Sequence, residues 1–586
     1  MATTNPQHQT PPDVRRILDA LAEKRHRLMG LPAEKAMEEI LDHPKCMALV
    51  QSFPEEDLYL LIQEIGPDDA LPLLSLASNR QWQFCVDMEI WDRDRIHPQR
   101  FARWMQLLLH ADPERFIKWV LNEQLEPIER FLNMHVEVFI LEHDMDPSDF
   151  PDDTFTYDGI YYIRFRNTFD SNEGDPPPSL EIEPFLNDFF NHLYDQDNHS
   201  IFQNLLLESR WIIPSEIEDE AYRLKCIRLA EKGFLPYEEA ISLYQPLDPG
   251  HLLPRISRPS NQQDARDPTS AIPSIVINPE QHPIDIGFDE MRDDPLFLEI
   301  LSEIGALANQ IAVADRVHLS SREDLAGLIR KVRAYLGIGI EILSKAPFHP
   351  RTAAQFLRLY PLSAIFRVGY GRIMLLHRQT DHWVRKSWFR RAGMKLDFWE
   401  EDGMAVIGGI LLPRPKYYDS TFNDSSYREF GSLAEIQNTQ HKLDTYRMID
   451  AILENLCADL SSDVLAAFRS RHLTYPCLLL TLHAASRMHT PTEELPLDPL
   501  RFQTFFESLW ADPHAEGQKH ISEGFQSDFL QWLSNAIGVH PSEMHSRLGN
   551  VFHQWFQDIE SELGWISTDR IDQRFVRMFW IGNILK

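Results

Sequence analysis

Apolar residues recur at the spacing of an α-helix throughout residues 30–145. The clearest stripes comprise Ala33, Ala36, Met37, Ile40 and Leu41; Leu58, Leu61, Ile62 and Ile65; Phe101, Trp104, Met105 and Leu108; and Phe116, Ile117, Val120 and Leu121. This spacing places the apolar side chains along one face of each predicted helix. Each helix is too short to be stable alone, so neighbouring helices must bury their apolar faces against one another.

Prolines mark where these helices are predicted to begin, because the first turn of a helix tolerates the missing N–H. Acidic residues directly follow Pro54 and Pro67, where they favour the positive end of the helix dipole. The predicted starts are Pro32, Pro44, Pro54, Pro67, Asn79 (as a cap), Pro98, Pro113 and Pro127. Pro72 lies inside the 67–77 segment and is expected to kink it. The pattern predicts a helical-repeat superhelix over roughly 30–145.

One segment shows the pattern of a β-hairpin. Residues 154–165 (TFTYDGIYYIRF) alternate around Asp158-Gly159, which suits a two-residue type I′ turn. Phe155, Tyr157, Ile160 and Tyr162 are expected to share the packed face. The predicted fold class is therefore mainly α: an N-terminal helical-repeat superhelix and a second helical half, with one small β-hairpin near 154–165.

Two stretches carry a family resemblance. "LPAEKAMEEIL" and "FPEEDLYLLIQEIGPDDALPLL" make residues 30–145 resemble the helical-repeat N-terminal domain of MgtE-type magnesium transporters, without the transporter's membrane part. Over the full length, with "PEEDLYLLIQEIG", "RQWQF" and "FRVGYG" as landmarks, the chain is similar to an uncharacterised bacterial family, a domain of unknown function. Neither resemblance implies catalytic residues.

Composition along the chain predicts four regions. Residues 1–28 are expected to be disordered or loosely helical, and 29–246 to form the helical-repeat domain with its hairpin. Residues 247–292 are rich in proline and lack periodicity, which is typical of a linker. A C-terminal helical domain is predicted over 293–586. Its helices are expected to start at Pro350, Pro361, Pro499, Pro513 and Pro541.

The charge and the cysteines narrow the possible functions. The chain has 57 basic and 89 acidic residues, a net charge of −32, which repels nucleic acid and anionic membranes. Its five scattered cysteines form no disulfide framework, as is typical of cytosolic proteins. There is no apolar run long enough for a membrane span and no secretory signal pattern. We therefore expect a cytoplasmic protein without membrane insertion.

Catalytic motifs are missing from the sequence. None of the 24 histidines has another at i+3 or i+4, the spacing that helical zinc sites use. The phosphate-binding Walker A loop, the third glycine of a dinucleotide fingerprint and the G-x-S-x-G motif are also missing. Catalytic residues are therefore unknown, no cofactor is expected, and the sequence favours a non-enzymatic protein.

The acidic stretch 142–153 (EHDMDPSDFPDD) offers weak candidate ligands for a divalent cation in Asp144, Asp146 and Asp149. Its spacing does not match an EF-hand, because no glycine occupies the sixth position of the loop. An ordinary solvated loop is the favoured interpretation, and no metal is expected.

A strongly basic stretch covers residues 366–395 (FRVGYGRIMLLHRQTDHWVRKSWFRRAGMK). Its eight cations face one acid, Asp381, so it carries +7 within a chain of −32. The candidates for binding an anion or a partner are Arg367, Arg372, Arg378, Arg385, Lys386, Trp388, Arg390 and Arg391. These residues either bind an anionic partner or dock on the protein's own acidic surface, and the second interpretation is favoured.

Stacked short helices make extended surfaces that hold other proteins. The sequence therefore favours a non-enzymatic cytosolic scaffold or adaptor with an unidentified protein partner. The alternative is an enzyme or a ligand-sensing regulator with an anion-binding pocket near 366–395.

Overall fold

The computed structural model describes residues 12–166, 179–195, 199–211, 214–255, 283–344, 350–421, 426–515, 517–567, 571–572 and 576–582. These residues form 26 α-helices and seven short β-strands in sheets of two or three strands. The predicted mainly α fold is confirmed. Contacts between residues divide the chain into two units. Unit 1 comprises Met1–Gln245, His251–Leu336 and Ala346–Phe366, and unit 2 comprises Pro246–Gly250, Gly337–Lys345 and Arg367–Lys586.

The helices up to residue 359 lie in unit 1, except for the last residues of the helix that begins at Arg322. They are α1 (Pro12–Met29), α2 (Ala33–Leu41), α3 (Cys46–Gln51), α4 (Glu55–Ile65), α5 (Leu71–Leu76), α6 (Asn79–Glu89), α7 (Pro98–Ala111), α8 (Pro113–Glu123), α9 (Leu125–His135), α10 (Ser179–Asp195), α11 (His199–Glu208), α12 (Pro214–Ala230), α13 (Tyr237–Ala240), α14 (Pro283–Asp289), α15 (Phe297–Asp315), α16 (Arg322–Ser344) and α17 (Pro350–Leu359).

Packing among the first nine helices is local in sequence. Helix α2 packs on α3, α4 and α5, α4 packs on α6, and α7 packs on α5, α6 and α8. Large aromatic side chains fill the spaces between them, such as Trp82 and Trp119, whose ring centroids lie 5.7 Å apart. Neighbour-on-neighbour packing is what the repeated apolar stripes predict, because no helix can bury its stripe alone.

Several of the predicted prolines lie at helix starts, but Pro67 lies four residues before α5 and Pro127 is the third residue of α9. Pro98 and Pro113 occupy the first helical position, whereas Pro32 and Pro54 occupy the cap position just before the helix. The expected kink at Pro72 is wrong: α5 begins at Leu71, so Pro72 lies in its first turn and interrupts no hydrogen bond.

The predicted cap at Asn79 is also displaced by one residue. The hydroxyl of Ser78 accepts a hydrogen bond from the backbone N–H of Gln81, and the Gln81 side chain accepts one from the backbone N–H of Ser78. This reciprocal pair satisfies two N–H groups at the helix start, so α6 begins directly after Ser78.

The strands of unit 1 form two small sheets. One is the hairpin β1 (Trp91–Asp92) and β2 (Arg95–Ile96). The other contains β3 (Val136–Ile140), β4 (Phe155–Thr156) and β5 (Tyr161–Phe165) in the antiparallel order β3-β5-β4. The predicted hairpin near 154–165 is therefore confirmed, and β3, which the sequence pattern did not indicate, pairs with its second strand.

The predicted turn of this hairpin is wrong. Thr156 pairs with Tyr162, which leaves five residues in the loop rather than two. Gly159 has a positive φ of 72°, but Asp158 does not, so the type I′ geometry is not formed. The Asp158 carboxylate accepts hydrogen bonds from two backbone N–H groups that follow it, which stabilises the longer loop. Ile160 is 47% exposed and does not share the packed face.

The contacts group residues 293–336 with unit 1, which differs from the predicted division at 293. The guanidinium of Arg322 explains part of this grouping. It bonds to the Glu64 carboxylate (Nε to Oε2, 2.6 Å) and to the carbonyl oxygens of Met29 and Leu31. That the two predicted halves fold independently stays a prediction.

Two further predicted regions overlap the described residues in part. Residues 256–282, most of the predicted linker 247–292, lie outside the described residues, and its described ends contain a 3-10 turn at Pro249–His251 and helix α14. Residues 1–11 also lie outside them, and the rest of the region 1–28 belongs to α1.

Unit 2 contains the remaining helices, of which the first begins in unit 1. They are α18 (Leu362–Lys386), α19 (Trp388–Arg391), α20 (Glu400–Leu411), α21 (Leu433–Leu456), α22 (Ser462–Ser470), α23 (Tyr475–Arg487), α24 (Pro499–Leu509), α25 (Glu523–Ile537) and α26 (Pro541–Leu563). A short hairpin joins β6 (Tyr417–Tyr418) and β7 (Tyr427–Arg428).

Four of the five predicted starts after residue 293 lie at or directly before a helix, and Pro513 does not. Pro499 and Pro541 are the first residues of α24 and α26. Pro513 lies in a loop closed by pairing of Trp510 with Ile521, so the next helix begins only at Glu523.

Among the described residues, one helix is long and apolar enough to cross a membrane when judged by length and composition alone. It is α15, and 56% of the tested stretch is buried. All five cysteines are free, and Cys85, Cys457 and Cys477 are buried.

Candidate functional site

The basic segment 366–395 folds as two helices joined at Ser387. Helix α18 ends at Lys386, and Ser387 has an extended backbone (φ −61°, ψ 150°). Its hydroxyl accepts a hydrogen bond from the N–H of Arg390 and so caps the short helix α19. Residues 366–395 therefore do not form one continuous helix.

One side of α18 is exposed and carries four of the segment's eight cations. Its exposed residues recur every three or four positions, so they share a face. They are Arg372, Leu375, Arg378, Gln379, His382, Arg385 and Lys386. Three more cations are exposed directly after α18. We call the seven exposed cations the basic face: Arg372, Arg378, Arg385, Lys386, Arg390, Arg391 and Lys395.

The opposite side of α18 is packed into unit 2. Ile373, Leu376 and Thr380 are buried, and the Thr380 hydroxyl donates to the carbonyl oxygen of Leu376. The Nδ1 atom of His377 lies 2.7 Å from the carbonyl oxygen of Ile410 in α20. These contacts fix the rotation of α18 about its axis, and they leave the basic face on the outside of unit 2.

The start of α19 is held by a buried carboxylate. Asp450 of α21 accepts hydrogen bonds from the backbone N–H groups of Trp388 and Phe389, each at 3.0 Å, and from the indole N–H of Trp383 at 3.4 Å. Burial raises the pKa of Asp450. No sequence pattern indicates this role, because Asp450 lies 62 residues after Trp388.

Trp388 lies on the inner side of the segment and is buried, so it does not accompany the exposed cations. Phe389, its neighbour, packs edge-on against Trp399 with ring centroids 5.4 Å apart. Trp399 in turn contacts Tyr446 and Tyr475 at 5.3 and 5.1 Å. The aromatic residues of the segment therefore belong to the core of unit 2, whereas its cations lie outside.

Two cations of the basic face have acidic partners. Arg385 contacts Asp381 (Nε to Oδ1, 2.9 Å), and Arg391 contacts Glu454 (nitrogen to Oε1, 2.5 Å). All four side chains are at least 37% exposed, and such pairs contribute at most about 1 kcal/mol. Within the part of the chain that the structure describes, the other five cations of the basic face have no ion pair. Among the described residues of the basic face, contact with an acid outside the segment is thus observed for Arg391, whereas Arg385 contacts the segment's own Asp381.

Arg367, the remaining candidate, is separated from the basic face. It is half-buried near the start of α18, and its carbonyl oxygen accepts a hydrogen bond from the N–H of Leu247.

Leu375 also lies on the exposed side of α18, although it carries no charge and is not among the predicted binding residues. It is 41% exposed, and its spacing from Arg372 and Arg378 is the signal that could have identified it.

The acidic stretch 142–153 forms a loop with one 3-10 turn. The Asp146 carboxylate accepts hydrogen bonds from the backbone N–H and the hydroxyl of Ser148, and the Asp149 carboxylate accepts one from the N–H of Asp146. Asp144 is exposed. Among the described residues, no group of three His, Cys, Asp or Glu side chains is placed to hold a metal ion.

Comparisons with known proteins give one match. Residues 15–582 match a family described as a family of unknown function (DUF6178). Neither the curated proteins nor the solved structures provide a match. These comparisons do not show the predicted resemblance of residues 30–145 to the magnesium transporter domain, but the full-length resemblance is confirmed. The chain belongs to the family of unknown function DUF6178.

Proposed function

We propose that this protein is a non-enzymatic helical scaffold that holds an acidic segment of another protein on its basic face. The observation that carries the proposal is a set of five exposed cations that have no acidic partner among the described residues: Arg372, Arg378, Lys386, Arg390 and Lys395. Five such cations within 24 residues repel one another in a chain of net charge −32. Binding an anionic partner relieves this repulsion.

The dimensions of the basic face suit a peptide segment. Arg372 and Lys386 are fourteen residues apart on one helix, a distance of roughly 21 Å along its axis. An acidic helix of four turns, or a strand of about six residues, has this length. The arginines of the face can each bind a carboxylate through two parallel hydrogen bonds. Leu375 adds an apolar contact in the middle of the charged stretch.

Nucleic acid and anionic membranes fit this surface less well. Both carry negative charge far beyond 21 Å, and their remaining charge would meet the strongly acidic remainder of the protein. The charge of a short acidic peptide instead stays on the basic face. Salt screens charges over about 8–10 Å, which weakens the repulsion between the peptide and the protein's other acidic residues. The proposal also places the scaffold in the cytosol, in agreement with its five free cysteines.

The enzyme or ligand-sensing alternative requires a polar pocket near the same segment. Asp450 already occupies the backbone N–H groups of Trp388 and Phe389, which are the groups that an anion would use there. Trp388 is buried among other aromatic side chains. No observation on the described residues favours this alternative.

The proposal is tested with a fluorescein-labelled peptide of six glutamates, which is about as long as the basic face when extended, and its binding is followed by fluorescence anisotropy. The test variant combines Arg378→Glu, Lys386→Glu and Arg390→Glu. We expect it to bind the peptide at least about tenfold more weakly than the unmodified protein, because each lost exposed contact is worth up to about 1 kcal/mol. Raising NaCl from about 50 to about 300 mM should weaken binding of the unmodified protein, as screening predicts.

The matched control reverses three cations of unit 1 by Lys35→Glu, Arg80→Glu and Lys118→Glu. These residues are exposed and have no ion pair among the described residues, so the net charge changes by the same amount. The control should bind the peptide as the unmodified protein does. Equal weakening in both variants, or stronger binding of a twenty-nucleotide single-stranded DNA than of the peptide, would contradict the proposal.

A further inference from the structure

The loop between β3 and β4 exposes a short run of acidic side chains. All eight residues from 142 to 149 (EHDMDPSD) are exposed, and none of them is a lysine or an arginine. We call these eight residues the acidic tip. Its four carboxylates belong to Glu142, Asp144, Asp146 and Asp149.

The acidic tip is anchored to the sheet of unit 1. Phe150, which directly follows the tip, is buried against Phe139 of β3 and Tyr162 of β5, with ring centroids 5.5 and 4.9 Å apart. The hydrogen bonds from Ser148 to the Asp146 carboxylate hold the 3-10 turn within the tip. A segment held in this way loses less conformational freedom on binding than a free peptide does.

The carboxylates of the acidic tip have no cation of their own. In the part of the chain that the structure describes, none of the four forms an ion pair. The ion pair of this loop lies outside the tip, where Asp153 is 3.7 Å from Arg164. The tip thus presents four negative charges to solvent.

Two other acidic stretches of unit 1 contain acids that are already paired. In 216–220, Glu218 contacts Arg130 and Glu220 contacts Arg223. The stretch 289–294 shows the same feature, with ion pairs from Asp289 to Arg292 and from Asp294 to Arg358. Binding a further cation would compete with these pairs, which the acidic tip avoids.

The acidic tip complements the basic face in charge, length and apolar content. Its four carboxylates compare with the five cations of the basic face that have no acidic partner among the described residues. Eight residues span at most about 25 Å when extended, and the 3-10 turn shortens this span toward the roughly 21 Å of the face. Met145 of the tip and Leu375 of the face are each 41% exposed.

We propose that the acidic tip of one copy of this chain binds the basic face of a second copy. This assignment rests on the proposed function of the basic face and names its partner. The tip and the face are different surfaces, so the contact is head-to-tail. Arginines of the face bind the carboxylates of the tip through paired hydrogen bonds, and Met145 packs on Leu375. Salt screens the repulsion between two acidic copies over about 8–10 Å, so the contact is weak and sensitive to salt.

The experiment measures the mass of the full-length chain by sedimentation equilibrium at concentrations up to about 200 µM, since small interfaces of this kind bind weakly. We expect the average mass of the unmodified chain to rise with concentration in about 50 mM NaCl. It should return toward that of the monomer in about 300 mM NaCl, because screening weakens the contact.

Two variants each disable one side of the contact. The tip variant combines Glu142→Gln, Asp144→Asn and Asp149→Asn, and the face variant is the triple reversal of Arg378, Lys386 and Arg390 described above. Each variant alone should remain monomeric. An equimolar mixture should form a dimer of one copy of each, because the face variant supplies an intact tip and the tip variant supplies an intact face.

The matched control neutralises one glutamate and two aspartates elsewhere in unit 1, by Glu38→Gln, Asp42→Asn and Asp219→Asn. These residues are exposed and have no ion pair among the described residues, so this variant should associate as the unmodified chain does. A monomeric unmodified chain in low salt would overturn the inference, and so would undiminished association of the tip variant.

The peptide of six glutamates separates this inference from the proposed function. The tip variant should bind the peptide as the unmodified protein does, which also shows that it is folded and that its basic face is intact. Peptide binding by an unmodified chain that stays monomeric would overturn the second copy as partner and leave the proposed function standing. Loss of both peptide binding and association in the unmodified chain would contradict both.

Discussion

Three cations of unit 1 that have acidic partners and the cations of the basic face have different surroundings, although all of them belong to a chain with 32 excess negative charges. In unit 1, Arg228, Lys232 and Arg322 are bonded to carboxylates that are at most 24% exposed. On the basic face, five cations have no acidic partner among the described residues. Net charge therefore does not tell where compensating anions lie. Acidic residues outnumber basic ones in the chain, but a carboxylate pairs with a given cation only where the packing of the fold places the two side chains together.

The largest effect on stability is expected where a cation is enclosed by several partners. Arg322→Met removes the guanidinium contacts to Glu64 and to the carbonyl oxygens of Met29 and Leu31, whereas Glu64 keeps the hydrogen bond from the backbone N–H of residue 322. We expect the free energy of unfolding to fall by about 2–3 kcal/mol, measured by urea denaturation. The control Arg378→Met on the basic face should change it by less than about 0.5 kcal/mol. Equal losses would remove the contrast between the two regions.

The next effect concerns the inner side of the basic segment. Asp450→Asn replaces one accepting oxygen by an NH₂ group, which cannot accept a hydrogen bond from the backbone N–H groups at the start of α19. We expect a loss of about 2 kcal/mol in the free energy of unfolding, because a buried donor is left without a partner. Unchanged stability would show that α19 does not need its carboxylate.

A pH-dependent effect is expected at Lys232. Burial raises the pKa of Glu55, but the hydrogen bond and the positive charge of Lys232, together with a backbone hydrogen bond and the charge of Arg80, outweigh burial and hold that pKa below its ordinary value of 4.5. A lowered carboxyl pKa stabilises the folded state above about pH 4.5, and this stabilisation is lost as the pH falls through the folded-state pKa. We expect Lys232→Met to be about 1–2 kcal/mol less stable at pH 7, and the difference to shrink below pH 4.

Lys225→Met is the matched control for this variant, because Lys225 has no carboxylate partner among the described residues. Its effect on the free energy of unfolding should be smaller at pH 7 and should not grow between pH 4 and pH 7. A difference for Lys232→Met that remained constant over this range would contradict the role assigned to Glu55 and Glu56.

The smallest effect is expected for the exposed pair of the basic face. Asp381→Asn removes the acid that contacts Arg385 one turn later on α18. Exposed pairs of this kind contribute about 0.3–0.5 kcal/mol, so the melting temperature should hardly change. Binding of the acidic peptide should become slightly stronger, because one more cation is released. A clearly lower melting temperature would indicate that the pair stabilises the fold.

Local features of the fold could be predicted from the sequence, and long-range ones could not. Pro98, Pro113, Pro499 and Pro541 mark helix starts because proline constrains its own backbone wherever it occurs. The helix start predicted at Pro513 is wrong, because the pairing of Trp510 with Ile521 places Pro513 in a loop. The same limit explains the missed strand β3, whose partner follows more than twenty residues later.

The candidate site shows the same contrast between local and long-range features. The basic segment could be predicted from the sequence, because charge and composition are local properties. It could not separate Trp388 from the cations, because Asp450 and Trp399 hold that side of the segment and come from elsewhere in the chain. Likewise, only the three-dimensional arrangement shows that Arg391 reaches Glu454 while Arg378 and Arg390 have no such partner among the described residues.

The central claim, that the basic face is exposed and free to bind an acidic segment, is tested most directly by arginine modification. The native chain is treated with phenylglyoxal, and modification is measured by peptide mass spectrometry with and without the peptide of six glutamates. We expect Arg378 and Arg390 to react much faster than Arg322, and the peptide to protect both but not Arg80 of unit 1. Slow modification of Arg378 and Arg390 in the absence of the peptide would contradict the claim, and so would equal protection of Arg80.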